Sequence, residues 1–141
     1  MLIDTNILVY SLNYGSSKSD VAREFIKNIV RNSNTVTVIA HQNVFEFLRV
    51  VTHKKYPNRF SIAQAISALE PIKDTIKIIY PTKETQDLAL ALIQKYSVSG
   101  SEVFDAYLVA TAISNGCYEV ATDNEKHLGK YQEIQVVNPF K

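Results

Sequence analysis

Five short runs rich in β-branched and aliphatic residues, at positions 1–3, 35–40, 75–80, 118–122 and 134–137, alternate with longer stretches whose apolar residues recur every three or four positions. No other feature of this chain constrains its fold as strongly. Strand patterns separated by helical ones need crossover connections, and crossovers build a mainly parallel sheet with helices packed on its faces. The expectation is an α/β domain whose ligand site lies beyond the carboxyl ends of the strands. At 141 residues the chain fits one domain, since domains usually run about 100 to 150 residues. No repeat, linker or low-complexity segment divides it, so residues 1–141 read as a single domain.

The helical stretches carry their own punctuation. After the first strand, 7–12 reads as a short helical turn closed by the Asn13-Tyr14-Gly15-Ser16-Ser17 cluster. Ser19 or Asp20 is placed to cap a helix bearing Val21, Ala22, Phe25, Ile26, Ile29 and Val30. Residues 41–53 form a helix of about three and a half turns at 3.6 residues each. Ser61 opens the next, whose end Pro71 is expected to disturb, and Thr82, Glu84 and Thr85 start another. Ser99 with Glu102 matches a capping box ahead of a helix over about 101–115, which stops at Asn115-Gly116.

Charge and cysteine usage narrow the setting. Lys plus Arg number 15 and Asp plus Glu 14, so no global field draws the molecule toward nucleic acid or an anionic membrane, and a polyanion has to be held locally. The single cysteine, Cys117, excludes an internal disulfide and a cysteine-based zinc site, which fits a reducing cytoplasm. The first residues show neither the basic n-region nor the cleavage site of a signal peptide, and no stretch has the roughly 18 uncharged apolar residues of a membrane span. The expectation is a soluble, cytoplasmic protein with no membrane partner.

Four acids stand in apolar company: Asp4 after Met-Leu-Ile, Glu46 within Val-Phe-Glu-Phe-Leu, Asp105 within Val-Phe-Asp-Ala-Tyr, and Asp123 closing Val-Ala-Thr-Asp. An unpaired buried carboxylate costs several kcal/mol, so such acids have a cation to hold, whether Lys, Arg or a metal. Asp4 and Asp123 fall at carboxyl ends of expected strands and Asp105 lies in the second turn of a helix that is apolar almost all round. The three can meet at one sheet edge. Carboxylates without cysteine or a histidine pair suit hard cations such as Mg²⁺ or Mn²⁺. Alternatives stand beside each: an Asx turn at Asp4, and a buried Lys or Arg partner for Asp105. Gln42, Glu46, Arg49 and His53 form one stripe, which is either the solvent face of a helix or the wall of a cleft.

Taken together, Leu2-Ile3-Asp4-Thr5-Asn6 with Leu8-Val9-Tyr10, the mid-helix Glu46, Phe104-Asp105-Ala106 and Ala121-Thr122-Asp123-Asn124 resemble, in order and approximate spacing, the PIN-domain ribonucleases of the VapC toxin type. The resemblance spans essentially the whole chain. It implies a PIN-like three-layer α/β/α domain in which Asp4, Glu46, Asp105 and a fourth residue near Asp123 bind Mg²⁺ or Mn²⁺. It also implies metal-dependent cleavage of single-stranded or loop RNA, and inhibition by a cognate antitoxin protein. In many relatives the last motif carries an acid three residues on, followed by Phe, where this chain has His127 and Leu128. The fourth ligand is accordingly Asp123, Asn124 or water held by either, with Asp123 favoured as the anion.

In the corresponding mechanism, Asp4 and Asp105 are primary ligands, Glu46 binds a second ion or orients water, and Thr5, Asn6 and Asn124 tune the shell by hydrogen bonds. Arg49, Lys54, Lys55 and Arg59, with His53 and Tyr56 among them, form the densest basic stretch and suit RNA phosphates and bases, or else a solvated loop. Apolar and aromatic residues expected to be exposed around Phe60 and Tyr80 suit a homodimer by family analogy. No Ser or Cys nucleophile accompanies His127, Cys117 reads as a small core residue, and no Gly-rich loop cradles a nucleotide. Asp4-Thr5-Asn6 lacks the second acid of an aspartyl-phosphate enzyme. The competing reading is a catalytically inert PIN-like module that binds RNA or protein.

Overall fold

The computed structural model describes residues 1–32 and 34–141. Its elements run β1 (Leu2–Ile3), α1 (Thr5–Leu12), α2 (Ser19–Arg31), β2 (Val38–Ala40), α3 (His41–Val51), α4 (Ile62–Thr75), β3 (Lys77–Ile79), α5 (Thr85–Tyr96), α6 (Glu102–Ser114), β4 (Glu119–Ala121), α7 (Glu125–Leu128) and β5 (Gln135–Val137). All pairings are parallel, in the order β3-β2-β1-β4-β5. The chain builds outward from β1 to β3 on one side, then crosses back to β4 and β5 on the other. The order therefore reverses at β1, and a crevice opens beyond its carboxyl end.

Strand alternation divides the core. Leu2, Val38, Ala40 and Val120 point to one face and pack with α5 and α6 through Ala89, Leu92, Leu108 and Val109. Ile3 and Ile39 point to the other and pack with α1, α3 and α4 through Ile7, Leu8, Phe47 and Leu69. Successive Cβ atoms in a strand face opposite sides, so strands of two or three residues serve both layers. Each fully buried Leu, Ile or Phe contributes about 1.5–3 kcal/mol relative to exposure. The result is the expected three-layer α/β/α arrangement.

Several boundaries differ from the sequence expectation. The helical turn expected at 7–12 is the full α1, because Asp4 accepts from Thr5 N at 2.7 Å and starts the helix directly after β1. Ser19 and Asp20 lie inside the first turn of α2 after Lys18, and Ser19 Oγ accepts from Arg23 instead of capping. Pro71 does not end α4, which runs on to Thr75. The Ser99–Glu102 capping box is not formed: the chain enters α6 at Ser101, and the Glu102 carboxylate pairs with Lys130. Phe60, expected on an exposed face, is half-buried against Tyr56, whereas Tyr80 is exposed. Among the described residues no helix is long and apolar enough to cross a membrane.

Candidate active site

Asp4 occupies the reversal point. Its Oδ1 takes the Thr5 amide, while Oδ2 accepts from Asn6 Nδ2 at 2.6 Å and from Thr122 Oγ1 at 2.7 Å. The residue is 8% exposed. Burial pushes its pKa up to about 6, with the negative charges of Glu46 and Asp105 adding to the rise against the Thr122 and Thr5 hydrogen bonds. No Lys or Arg pairs with it among the described residues.

Glu46 reaches the same place from α3 through a buried relay. Asn43 Oδ1 accepts from Ala40 N at 2.8 Å, its Nδ2 donates to Thr5 Oγ1 at 3.0 Å, and Thr5 Oγ1 donates to Glu46 Oε2 at 2.9 Å. Asn43 and Glu46 are three positions apart on the helix, which puts both on one face. The other carboxylate oxygen, Oε1, accepts from Gln42 Nε2 at 2.7 Å, and Gln42 also donates to the Phe104 carbonyl across the crevice at 3.2 Å. The stripe Gln42-Glu46-Arg49 is therefore a cleft wall; His53 lies beyond it, exposed.

Asp105 is the fourth residue of α6 and faces the crevice half-buried. Burial raises its pKa, as do Glu46 and Glu102, while His127 and Lys130 pull it down. His127 Nδ1 stands 3.5 Å from Asp105 Oδ2 and 3.7 Å from Glu102 Oε1. Burial and repulsion thus work against the charged forms of Asp4 and Asp105 alike. Asp4, Glu46, Asp105, Asn124 and Arg49 line one cleft of about 1020 Å³.

The structure does not bring Asp123 into that lining. Its carboxylate pairs with Lys18 and accepts from Tyr10 Oη at 3.1 Å, and the Lys18 contact holds its pKa below the usual carboxylate range. The neighbouring Asn124 turns inward, its backbone N donating to Thr122 Oγ1 at 2.9 Å. Lys54, Lys55 and Arg59 are exposed and outside the cleft lining, whereas Arg49 and Tyr56 of the same stretch lie on its wall. Two supports escaped the sequence reading as site residues, Asn43 and Thr122. Their signal was a fully or almost fully buried polar residue beside a predicted acid, which becomes visible only once burial is known.

Asp4, Glu46 and Asp105 offer the cleft carboxylate oxygens, the donors of a hard cation, and the one imidazole on its lining among the described residues, His127, stands against Asp105. Among the described residues no three His, Cys, Asp or Glu side chains are drawn together closely enough to grip an ion at once. Mg²⁺ is ordinarily bound through one or two carboxylates and keeps several waters, so Asp4 and Asp105 with their neighbours fit such an ion.

The PIN domain family model matches residues 1–132. No curated protein matches the sequence. Among solved structures, the chain is similar to VapBC2 from Rickettsia felis bound to a DNA fragment from their promoter, at 18% identity and TM-score 0.72, covering 97% of this chain and 96% of that one. It is similar to a toxin–antitoxin complex from Klebsiella pneumoniae, at 25% identity and TM-score 0.68, over 99% and 98%. It is also similar to Mycobacterium tuberculosis VapC20, a sarcin-ricin loop cleaving toxin, at 13% identity and TM-score 0.67, over 95% and 98%. With a parallel sheet reversing at β1, an acid-lined crevice at that point and a family match over nearly its whole length, the chain belongs to the PIN domain family.

Proposed function

We propose that this protein is a Mg²⁺- or Mn²⁺-dependent endoribonuclease that cleaves single-stranded or loop RNA, acting in the cytoplasm as the toxin of a toxin–antitoxin pair. The observation that carries the reading is the convergence of Asp4, Glu46 and Asp105 on one cleft with no lysine or arginine paired to any of them among the described residues. Acids held in that way are stabilised by a bound cation. When bound, the ion polarises the phosphodiester and lowers the pKa of its water, so that hydrolysis proceeds at neutral pH.

Asp4 and Asp105 are the primary ligands. Glu46, fixed by Thr5 and Gln42, holds a second ion or orients the attacking water. Asn6 and Thr122 fix the Asp4 carboxylate, and Asn124 completes the inward-facing set in place of Asp123. Arg49 meets a substrate phosphate at the cleft wall, and Lys54, Lys55 and Arg59 extend the anion path beyond it. A cognate antitoxin, supported by the likeness to VapBC and Klebsiella toxin–antitoxin complexes, completes the reading, with a homodimer proposed beside it. The test is cleavage of a mixed RNA pool by purified protein in Mn²⁺, Mg²⁺ or EDTA, beside Asp4→Asn. Cutting that needs the metal and disappears in the variant supports the nuclease. Cutting that survives EDTA contradicts it, as does silence without Mn²⁺ binding, which leaves an inert binding module.

A further inference from the structure

Four exposed rings stand in an order that the carboxylate chemistry does not use. Phe45 is 59% exposed and immediately precedes Glu46; Phe104 is 60% exposed and immediately precedes Asp105. Both line the cleft, one on the α3 wall and one on the α6 wall. From Phe45 the rings continue outward: His41 lies edge-on to Phe45 with centroids 5.1 Å apart, and Tyr80 lies tilted to His41, also at 5.1 Å. Tyr80 is 57% exposed and His41 is exposed. Large aromatic side chains usually bury their faces, so a row of open rings leading from an acid centre calls for a ligand.

We infer that Phe45, His41 and Tyr80, with Phe104 across the cleft, form a stacking platform for the bases of an unpaired RNA strand whose phosphate lies at the acid centre. This rests on the nuclease reading and deepens it by naming residues that select single strands. A strand presents both things this surface asks for: an anionic phosphate for the cation-loaded centre and Arg49, and flat π-faces for separate open rings. The aromatic and acidic roles are interleaved one residue apart on both walls, so a base on Phe45 or Phe104 places its own backbone beside Glu46 or Asp105. A duplex keeps its bases stacked within the helix and cannot offer those faces. Gln42, Glu46 and Asp105 line the cleft together with Phe45 and Phe104, so its occupant has to present polar and charged groups along with flat faces, as a nucleotide does.

The test measures binding of a fluorescein-labelled single-stranded 12-mer RNA, and of the same strand paired to its complement, by anisotropy in Ca²⁺ with strand integrity checked afterwards. Proteins are the full chain, Phe45→Ala, Phe45→Leu, Phe45→Trp and Tyr80→Ala; Mn²⁺ affinity and molar mass are recorded for each. The expected result is single-strand affinity weakened roughly 5- to 100-fold in Phe45→Ala and Tyr80→Ala, restored by Trp and not by Leu, with Mn²⁺ affinity unchanged. Equal affinity for the duplex, or equal binding by Ala, Leu and wild type, overturns the platform while leaving the nuclease standing. Loss of dimer mass in Phe45→Ala or Tyr80→Ala with RNA affinity intact also overturns it, assigning the rings to a second copy of the chain. A wild type that neither binds nor cuts RNA removes the nuclease reading and this one together.

Discussion

Asp4 carries two roles with opposed electrical demands. As the residue that starts α1 it accepts three hydrogen bonds, all of which favour the carboxylate; as a buried side chain facing Glu46 and Asp105 it is pushed toward the neutral acid. Burial wins, and the pKa stands at about 6 in place of 3.8. An acid whose folded value lies above its unfolded one stabilises the fold only while protonated. That contribution is full below about pH 4 and is lost as pH rises through about 6, a swing of about 3 kcal/mol. In EDTA the urea-unfolding free energy of wild type is therefore expected to fall relative to Asp4→Asn by about that amount between pH 4 and 7.5. A flat difference contradicts it. Mn²⁺ added at pH 7.5 to about 100 times its Kd is expected to return roughly 2.7 kcal/mol to wild type.

Among the elements, the site depends on how α3 is joined to α1. Asn43, with no exposure to solvent, satisfies the Ala40 amide at the start of α3 and the Thr5 hydroxyl on α1, and through Thr5 it fixes Glu46. Replacing it by Ala leaves a buried donor unpaired, so Asn43→Ala is expected to lose about 1–3 kcal/mol of stability in urea unfolding. Mn²⁺ affinity is expected to fall with it, by about 10- to 100-fold, since Glu46 loses its anchor. A stability loss with unchanged Mn²⁺ affinity would show that Glu46 needs no such support. The same elements show how far sequence reading reached. Asp4, Glu46 and Asp105 were legible because charge in an apolar run is conspicuous. Asp123 was legible as an acid but not in its direction, because Lys18, which turns it away, is 105 residues distant. Asn43 is a polar residue of ordinary appearance that only burial marks, and Thr122, though it stands within the Ala121-Thr122-Asp123-Asn124 motif, shows its bond to Asp4 only in the fold. Pro71 misled because a proline tolerated on an exposed helix face leaves no trace in local pattern.

The whole molecule is nearly neutral, so its grip on a polyanion is local. Arg49 sits on the cleft wall, while Lys54, Lys55 and Arg59 lie on the exposed turn that follows α3. If that turn extends the RNA path, replacing the three together is expected to reduce the slope of log affinity against log salt by about 2, at about 0.7 per phosphate contact. An unchanged slope returns the turn to plain surface. The fold class itself was readable from alternation alone, because a parallel sheet needs the crossovers that the pattern displays. The strand order was not, since the sequence does not say on which side of β1 each return lands. That order is what sets Asp4 at the end of β1 and the acids of α3 and α6 around one crevice.

The most direct test of this account compares initial rates of RNA cleavage at saturating Mn²⁺ for wild type, Asp105→Asn and Asp123→Asn, with folding confirmed for each. Asp105 faces the cleft and Asp123 faces Lys18, so the expected loss is more than about 100-fold in the first and less than about tenfold in the second. Equal inactivation of both, or full activity in Asp105→Asn, would contradict it.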